Sequence, residues 1–551
     1  HFVTRCTGVL AREAASASNQ WPARRLAGER HLASQHRPAS QEVTLKSAGL
    51  AVKIRPTDVE EPGAPAVGVY ETICSESAVE RRFQPIAVLG SSSGPAVGSR
   101  IWVRARLAAV RIKGKSSFVV LRQYSLHTLQ ACKFREKADS GESAKAVAKF
   151  FKSLPLESLM DVCGTLVEAK VNSCTQTNVE LHIERAYVVS VASDCLPFLL
   201  ADAQRGEVEI EESLKSERPY VRVLQDLRLD HRWLDLRVPA NNAIMRVQAA
   251  VCRFFRELLT QRGFVEIHTP KLLAGQSEGG AEVFRTDYFG RAASLAQSPQ
   301  IYKQMAISSD LPGVFEVCPV FRAENSNTNR HLCEFTGLDF EMPISWHYNE
   351  VISVVYDLFV SIGSRLEDEC AAELATIRKM YPSRAPVIPS GGPCVVHWPE
   401  AMDMLKEHGF QRNLMEDLST EEEKALGSLI KNKYGTDLFF LDLYPSAVRP
   451  FYTMPCRDRP EYSNSYDLIL RGQEIGSGAQ RCHDPDLLEA RCAELGVATG
   501  PLRAYIDSFR HGVPPHGGVG LGLSRIVQLY LDLDNIRKAV LFTRDPSRLS
   551  P

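Results

Sequence analysis

The sequence predicts an α+β multidomain protein in which a small β-barrel precedes a larger domain of antiparallel strands and helices. At 551 residues the chain is long enough for ~3 or 4 compact units. Short strand-like runs gather between about 98 and 195, and a strand–loop–strand pair with long amphipathic helices follows from about 226. The composition, 44% hydrophobic and 24% charged, is typical of a globular protein and argues against disorder of the whole chain.

Residues 1–80 differ from the rest of the chain and are predicted to be a largely disordered N-terminal extension. They are rich in Ala, Ser, Arg and Pro, and residues 1–41 hold six arginines against two glutamates. Because little apolar periodicity is present, this segment lacks the apolar surface that a core requires. The same composition is typical of an organelle transit peptide, a flexible RNA-contacting arm or an unselected extension.

Residues 81–200 are predicted to form a barrel of the OB type, since five short strands with one helix are typical of that fold. The clearest strands are predicted at 101–107, 117–122, 161–171 and 178–191, and the helix near 143–151. Between residues 104 and 122 there are six basic residues and no acidic one, beside Phe118 and Tyr124. Such a surface suits single-stranded nucleic acid. The alternative is that Phe118 lies in the barrel core and the charges form a solvated edge.

A polar, acidic stretch at 201–225 lacks strand signals and is predicted to be a hinge to the larger domain at 226–551. That domain opens with an amphipathic helix at 242–262, followed by Gly263 where a C-cap belongs. Further helices are predicted around 350–380 and 399–434.

A long β-hairpin is predicted where the strands 314–321 and 332–340 flank a polar loop. Arg322 ends the first strand, and its permanently charged, forked guanidinium suits a phosphate oxygen. Phe335 on the return strand offers a face on which a purine can stack. The pattern indicates a nucleotide clamp without a P-loop. A simpler hypothesis is a surface hairpin in which Arg322 pairs with Glu324.

The string FRAENSNTNRHLCEFTGLDFEM at 321–342 resembles the second signature motif of class II aminoacyl-tRNA synthetases, and in detail that of the eukaryotic and archaeal aspartyl-tRNA synthetases. The helix and strand up to Pro270 are similar to the first motif, and HGGVGLGLSRI at 516–526 to the third. The resemblance covers about residues 98–551. It implies an OB-fold anticodon-binding domain, a class II catalytic domain with an antiparallel sheet flanked by helices, and a homodimer with Pro270 at the interface.

The resemblance also implies that ATP is bound and that Arg322 and Arg525 are catalytic. The implied ATP-binding residues are Arg322, Glu324, Arg330, His331, Phe335, Glu474, Ser477 and Arg525. Asp467 and Glu474 are implied as magnesium ligands, and carboxylates are the hard oxygen donors that Mg²⁺ prefers beside nucleotide phosphates.

For the other two substrates, L-aspartate and tRNA(Asp), the resemblance implies two further sets of residues. The aspartate site is implied at Ser277, Glu278, Gln300, Lys303, Asp339 and Arg481, and the anticodon contacts at Phe118, Gln130 and Glu180. Arg481 and Lys303 are expected to bind the substrate's side-chain carboxylate. An amide would leave such buried cations unpaired, which costs several kcal/mol.

Four positions depart from the family's pattern. Ser524 stands where the family has an acidic residue, which leaves the setting of Arg525 open, and Gln473, Gly476 and Thr543 are milder departures.

Three alternative functions compete with that of an aspartyl-tRNA synthetase. Asparaginyl-tRNA synthetases share the architecture, a synthetase-like asparagine synthetase would lack the barrel, and a non-catalytic RNA-binding paralogue has only Ser524 in its support.

Charge and cysteine usage bear on compartment and partners. The net charge of −1 indicates that any surface for a polyanion is local. No apolar run reaches the ~18 residues that a membrane helix needs. Fourteen cysteines without a CxxC pair are typical of a reducing compartment, which favours the cytoplasm. A transit peptide within residues 1–80 would instead favour an organelle.

Overall fold

Three sheets organise the residues that the computed structural model describes, namely 52–75, 81–114, 116–134, 142–274 and 283–551. A barrel sheet lies in the N-terminal part, an eight-stranded sheet in the C-terminal part, and a small three-stranded sheet beside the latter. None of the helices in these ranges combines the length and the apolar character that crossing a membrane requires.

The N-terminal sheet closes on itself, which confirms the predicted OB-type barrel. Its strands are β1 (Lys53–Ile54), β2 (Val67–Tyr70), β3 (Arg100–Lys113), β4 (Ser116–Gln123), β5 (His127–Lys133), β6 (Leu159–Glu168) and β7 (Val179–Ser190). The order is β1-β2-β7-β5-β4-β3-β6, and β6 also pairs with β7. Helix α1 (Glu142–Ser153) buries Phe150 and Phe151 in the barrel core.

Residues 52–75 are ordered in the structure, although the sequence predicts disorder over most of 1–80. Strand β2 pairs in parallel with β7, and β1 pairs with β2. Ile54 and Tyr70 pack against Trp102 and Tyr187 of the barrel. These strands are too short to show an apolar period, so composition alone misses them. Residues 1–51, where the transit-peptide hypothesis lies, are outside the described residues.

The stretch predicted as a hinge contains two short helices, α2 (Leu200–Ala203) and α3 (Glu207–Ser213), rather than open chain. Two more follow it, α4 (Gln225–Asp230) and α5 (Arg232–Asp235). Buried Glu157 accepts hydrogen bonds from Arg122 of the barrel at 2.7 Å and from Arg237 of the larger domain at 3.1 Å. A buried carboxylate of the barrel therefore joins the two domains directly.

The larger domain is built on an eight-stranded sheet of order β14-β15-β16-β17-β18-β13-β12-β8. Its strands are β8 (Val265–Glu266), β12 (Val314–Phe321), β13 (Glu334–Pro343), β14 (Val395–His397), β15 (Leu438–Asp442), β16 (Ser465–Leu470), β17 (Gln473–Gln480) and β18 (His516–Gly522). The antiparallel pairing of β12 with β13 confirms the predicted hairpin. The three-stranded sheet consists of β9 (Leu272–Leu273), β10 (Arg285–Tyr288) and β11 (Arg291–Leu295).

Helices pack against both faces of the large sheet. They are α6 (Pro239–Gln261), α7 (Gln300–Ile307), α8 (Asn349–Glu369), α9 (Ala371–Met380), α10 (Trp398–Glu407), α11 (Thr420–Tyr434), α12 (Pro485–Glu494), α13 (Arg503–Phe509) and α14 (Leu523–Tyr530). Leu338 and Phe340 of β13 point into the main core beneath α6, α8 and α14. Because side chains alternate along a strand, Asp339 and Glu341 lie on the opposite face.

One row of cross-strand partners on that opposite face positions the site. Asp339 lies opposite Gly520, Gly520 opposite Ser477, and Ser477 opposite Asp467. Directly opposed residues share a face, so the carboxylates at 339 and 467 and the hydroxyl at 477 lie in one line. Glu341 lies in the next such row, opposite Gly518.

Candidate active site

A cavity of about 450 Å³ lies over this row. Its lining includes Arg322 from the end of β12, Arg481 directly after β17, and Arg525 in the first turn of α14. Of the other residues implied by the resemblance, the lining contains Glu324, Arg330, His331, Phe335, Gln300, Asp339, Glu474 and Ser477. Lys303 and Asp467 lie behind the lining, and Ser277 and Glu278 are outside the described residues.

Four buried charges form one end of the cavity, here called the charged recess (Lys303, Asp339, Glu341 and Arg481). Lys303 donates to Asp339 at 2.9 Å and lies 3.5 Å from Glu341. Arg481 donates from Nε and Nη2 to the two oxygens of Glu341, at 2.8 and 3.2 Å. Burial alone would raise the pKa of Glu341, but the charges of Arg481 and Lys303 outweigh it and hold that pKa below its usual value.

This pairing corrects one step of the sequence argument. Arg481 and Lys303 are not unpaired cations awaiting a substrate carboxylate, because Glu341 and Asp339 already balance them. An amide in the recess would therefore not strand a buried cation. Compared with a carboxylate, an amide lacks the negative charge and has only one acceptor oxygen for the two cations, because its NH₂ group can only donate. The sequence contained a signal for Glu341, since it lies two residues after Asp339 on the same strand face.

Glycines of β18 make the recess possible. A Cβ at Gly518 would lie 2.2 Å from a carboxylate oxygen of Glu341, and one at Gly520 would lie 3.0 Å from Asp339. Only a strand without side chains lets the two carboxylates lie flat across it. Gly476 is fitted to the same packing, because a Cβ there would meet Gly520 O and Leu521 at 2.5 Å.

The other end of the cavity, here called the hairpin end (Arg322, Glu324, Phe335 and Arg525), is more open. The Arg322 guanidinium lies 5.6 Å from the centre of the Phe335 ring and 3.9 Å from the Glu324 carboxylate. The cation and the ring line the same open end of the cavity, where a flat base can stack and a phosphate can pair.

Ser524 does not hold Arg525. The Arg525 guanidinium donates to the backbone oxygen of Glu474 at 2.8 Å and to that of Arg330 at 3.4 Å. Ser524 is 2% exposed, and within the described part of the chain its hydroxyl has no hydrogen-bond partner. The position of Arg525 therefore does not depend on an acid at 524.

Sequence analysis missed Glu423, at the start of α11, which receives a 2.8 Å hydrogen bond from Arg330. Burial raises the pKa of Glu423 to about 7, although Arg330 opposes the shift. Beside it, burial and the charges of Arg525 and Arg330 lower the pKa of His331, which is therefore neutral near pH 7. The loop tip is thus held through Arg330 by a residue far away in the sequence.

A second missed residue is Arg449, which lines the cavity beside the row of partners. It pairs with Asp467 at 2.8 Å, donates to the Ser477 hydroxyl at 3.0 Å, and lies 3.8 Å from the centre of the Tyr444 ring. Asp467 thus already has a cationic partner. Burial and the neighbouring Asp467 raise the pKa of Glu474.

The oxygen atoms in this region suit a hard cation only in part. Glu474 and Ser477 line the cavity with Asp467 behind them. Among the described residues there is no group of three or more His, Cys, Asp or Glu side chains that could hold a metal by themselves. Such a donor set fits Mg²⁺, which commonly takes one or two carboxylates and completes its shell with phosphates and water.

Comparisons with known proteins agree with this geometry. The family described as tRNA synthetases class II (D, K and N) matches residues 224–546. The chain belongs to the class II tRNA synthetases. Mouse cytoplasmic aspartate–tRNA ligase is 48% identical over 82% of this chain and 88% of its own length. The aspartyl-tRNA synthetase of Entamoeba histolytica has 42% identity and a TM-score of 0.80, over 89% of this chain and 97% of that one.

A more distant structure is an asparaginyl-tRNA synthetase of Pyrococcus horikoshii complexed with asparaginyl-adenylate. It has 29% identity and a TM-score of 0.71, and the match covers 83% of this chain and 97% of that one. Both the aspartyl and the asparaginyl branch of the synthetase family thus share this architecture, with the aspartyl branch nearer.

On the barrel, three residues implied as anticodon contacts come together. Gln130 donates to Glu180 at 2.7 Å, and Phe118 lies opposite Cys132 on the same face of the neighbouring strands. Phe118 is half-buried and does not belong to the barrel core, which removes the core alternative. Hydrogen bonds from Gln130 and His182 outweigh burial and lower the pKa of Glu180, so this residue is an ionised acceptor.

Pro270, implied at a dimer interface, lies between β8 and β9 and is exposed in the single chain. The neighbouring Glu316 is buried and accepts from Thr269 and from Lys271 at 2.8 Å. The segment around Pro270 is thus fixed to the large sheet from below while its proline faces outward.

Proposed function

We propose that this chain activates L-aspartate with ATP to give aspartyl-adenylate and pyrophosphate, and then transfers the aspartyl group to the 3′ end of tRNA(Asp). The observation that carries the proposal is that Arg322, Arg525 and the charged recess share one cavity. A flat, phosphate-binding end and a recess for a small charged molecule are what the joining of ATP to an amino acid requires.

The first step needs little covalent chemistry from the protein. The substrate α-carboxylate attacks the α-phosphorus, an oxygen–phosphorus bond forms, and the bond to pyrophosphate breaks. Arg322 neutralises the α-phosphate, Phe335 stacks the adenine, and Glu324 accepts from its amino group. Arg525, with Arg330 and neutral His331, binds the β- and γ-phosphates, where charge accumulates on the leaving group.

Magnesium is the metal that Glu474, Ser477 and Asp467 would hold, and when bound it neutralises phosphate oxygens. Arg449 pairs with Asp467, so the protein itself orients that carboxylate. The arrangement of charges around Asp467 is therefore set by the protein rather than by solvent.

Selection of aspartate rests on the charged recess. Nε and Nη2 of Arg481 are bonded to Glu341, which leaves Nη1 directed to a substrate oxygen. Asp339, with Gln300 and with Ser277, which is outside the described residues, binds the substrate ammonium. Asparagine lacks the negative charge and offers one acceptor oxygen where aspartate offers two, and a polar mismatch in a buried site reduces binding strongly.

The barrel supplies the RNA contacts in this proposal. Phe118 stacks an anticodon base, and the Glu180 carboxylate and Gln130 amide read the edge of a base. The chain is proposed to act as a homodimer with Pro270 at the interface, and in the cytoplasm, as the name of the mouse relative states for that protein.

Aspartate-dependent and asparagine-dependent ATP–pyrophosphate exchange, measured on the purified chain, tests the proposal. We expect aspartate to be preferred by roughly 10²-fold or more in kcat/KM, as expected when a buried polar site is mismatched. Charging of a tRNA(Asp) transcript with aspartate should follow in the same preparation. Preference for asparagine would favour the asparaginyl rival, and exchange with neither amino acid would favour the RNA-binding paralogue.

A further inference from the structure

Three rings meet on the surface of the barrel and are here called the aromatic corner (Phe118, Phe134 and His182). The rings of Phe118 and Phe134 lie at 82° to each other with 5.7 Å between their centres. Phe134 meets the His182 ring at 68° and 5.2 Å. Phe134 and His182 play no part in the function proposed above.

The strand register explains why these rings gather. Phe118 lies opposite Cys132, and Cys132 lies beside His182 across the parallel pair β5–β7. Phe134 follows Cys132 by two residues, so it continues the same face directly after β5 ends. The corner thus adjoins Gln130 and Glu180 on one continuous surface.

The corner is open rather than part of the core. Phe134 is 39% exposed, and neither it nor Phe118 belongs to the buried barrel cluster. Exposed Arg111 lies opposite Phe118 on β3, and Glu180 fixes the His182 ring through a 2.9 Å hydrogen bond. Exposed aromatic faces beside an arginine such as Arg111 suit unpaired RNA bases, which stack on the rings while the guanidinium meets a phosphate.

We propose that Phe134, supported by His182, is a second base-stacking wall, so that the barrel holds one unpaired RNA base in addition to the base on Phe118. The inference rests on the proposed function, because it takes the RNA loop to be that of tRNA(Asp). Two faces at nearly a right angle cannot hold two bases that remain stacked on each other. The bound loop must therefore turn sharply between these two nucleotides.

Two substitutions separate stacking from simple support of Phe118. Phe134→Leu keeps apolar volume against Phe118 but removes the π face, whereas Phe134→Trp keeps a face. Since stacking on one ring changes binding by about 1–3 kcal/mol, we expect Phe134→Leu to raise the KM for a tRNA(Asp) transcript by roughly 5- to 150-fold. Phe134→Trp should stay within about two-fold of wild type, and aspartate-dependent exchange should be unchanged in both.

A matched control is Trp346→Leu, because Trp346 is 93% exposed and lies on the larger domain, between β13 and α8. Its KM for the transcript should stay within about two-fold of wild type. Binding of anticodon stem–loop RNAs, each with one abasic nucleotide, then identifies the base. At one position the loss of the base should weaken wild type but not Phe134→Leu, and Phe118→Leu should give a different position.

The outcomes separate this inference from the proposed function. If wild type charges tRNA(Asp) and Phe118→Leu weakens binding while Phe134→Leu does not, the second wall is wrong and the proposed function stands. The wall is also wrong if Phe134→Trp fails to restore binding, or if both phenylalanines map to the same abasic position. If wild type does not charge tRNA(Asp), the proposed function itself fails.

Discussion

The two ends of the catalytic cavity are both rich in paired charges, but they differ in how far water reaches them. In the charged recess the side chains of Arg481 and Glu341 are 4% and 0% exposed. At the hairpin end those of Arg322 and Glu324 are 41% and 31% exposed. Electrostatic contacts strengthen as water is excluded. The recess is therefore suited to discrimination between similar molecules, whereas the hairpin end captures a large ligand through several weaker contacts.

The largest effect is expected where burial is deepest. Arg481→Leu should lower aspartate-dependent exchange by roughly 10³-fold or more, because it removes a substrate contact and leaves Glu341 buried without its main partner. Arg510→Leu is the matched control, since this exposed arginine pairs with Asp486, Glu489 and Asp507 at the surface. Near-normal exchange in a folded Arg481→Leu protein would contradict the assignment of the recess.

A smaller loss of exchange activity is expected at Arg449, which lines the cavity beside the row of partners. Arg449→Lys keeps the positive charge but cannot bond Asp467 and Ser477 together as the fork does. We expect exchange to fall about 10-fold and the magnesium concentration for half-maximal exchange to rise. Titration of exchange with MgCl₂ checks this, and Arg457→Lys, an exposed arginine of the same loop region, should leave the titration unchanged. An unchanged curve for Arg449→Lys would separate Arg449 from the metal ligands.

At the hairpin end the expected effect depends on pH. The pKa of Glu423 is about 7 in the folded chain and ~4.3 when unfolded. The folded state therefore holds this proton more tightly, and stability decreases as pH rises from about 4.5 to about 7. Glu423→Gln removes this dependence, so its stability relative to wild type should increase over that range by about 1–3 kcal/mol.

Urea unfolding between pH 5 and pH 8 measures this difference. Glu421→Gln, on the exposed side of the same helical turn, is the control and should follow the wild-type curve. The KM for ATP, measured over the same pH range, reports whether loss of the hydrogen bond between Arg330 and Glu423 alters ATP binding. Parallel stability curves for wild type and Glu423→Gln would show that the carboxyl titrates normally.

The smallest effect is expected at Ser524, despite its place beside Arg525. Removing a buried hydroxyl that has no partner in the described structure is nearly neutral. Ser524→Ala should change aspartate-dependent exchange by less than about two-fold and stability by less than ~1 kcal/mol. A loss of ten-fold or more would mean that Ser524 positions Arg525 after all.

The elements that depend on the local alternation of apolar and polar residues were predicted from the sequence. The alternation at 314–321 and 332–340 is strong enough to give the hairpin, and the five barrel strands carry the same signal. Arg449 and Glu423 were missed because nothing near them in the sequence distinguishes them from other surface charges. Their partners, Asp467 and Arg330, are brought to them only by the tertiary fold, so no spacing rule could have paired them.

The carboxylates of the recess show an intermediate case. Asp339 was found through the resemblance, and Glu341 could have been found by strand alternation. Its pairing with Arg481 could not, because the two are 140 residues apart in the chain. The charge balance of the recess, and hence the way an amide would be rejected, required the structure.

Glu157 has a consequence for RNA length. It is 4% exposed and joins one arginine of the barrel to one that precedes α6, so the two domains are tied at a buried point. This buried contact keeps the aromatic corner and the catalytic cavity at a fixed distance from each other. An RNA that contacts both sites must itself be long enough to span that distance. A truncated hairpin with the correct loop would contact only the aromatic corner.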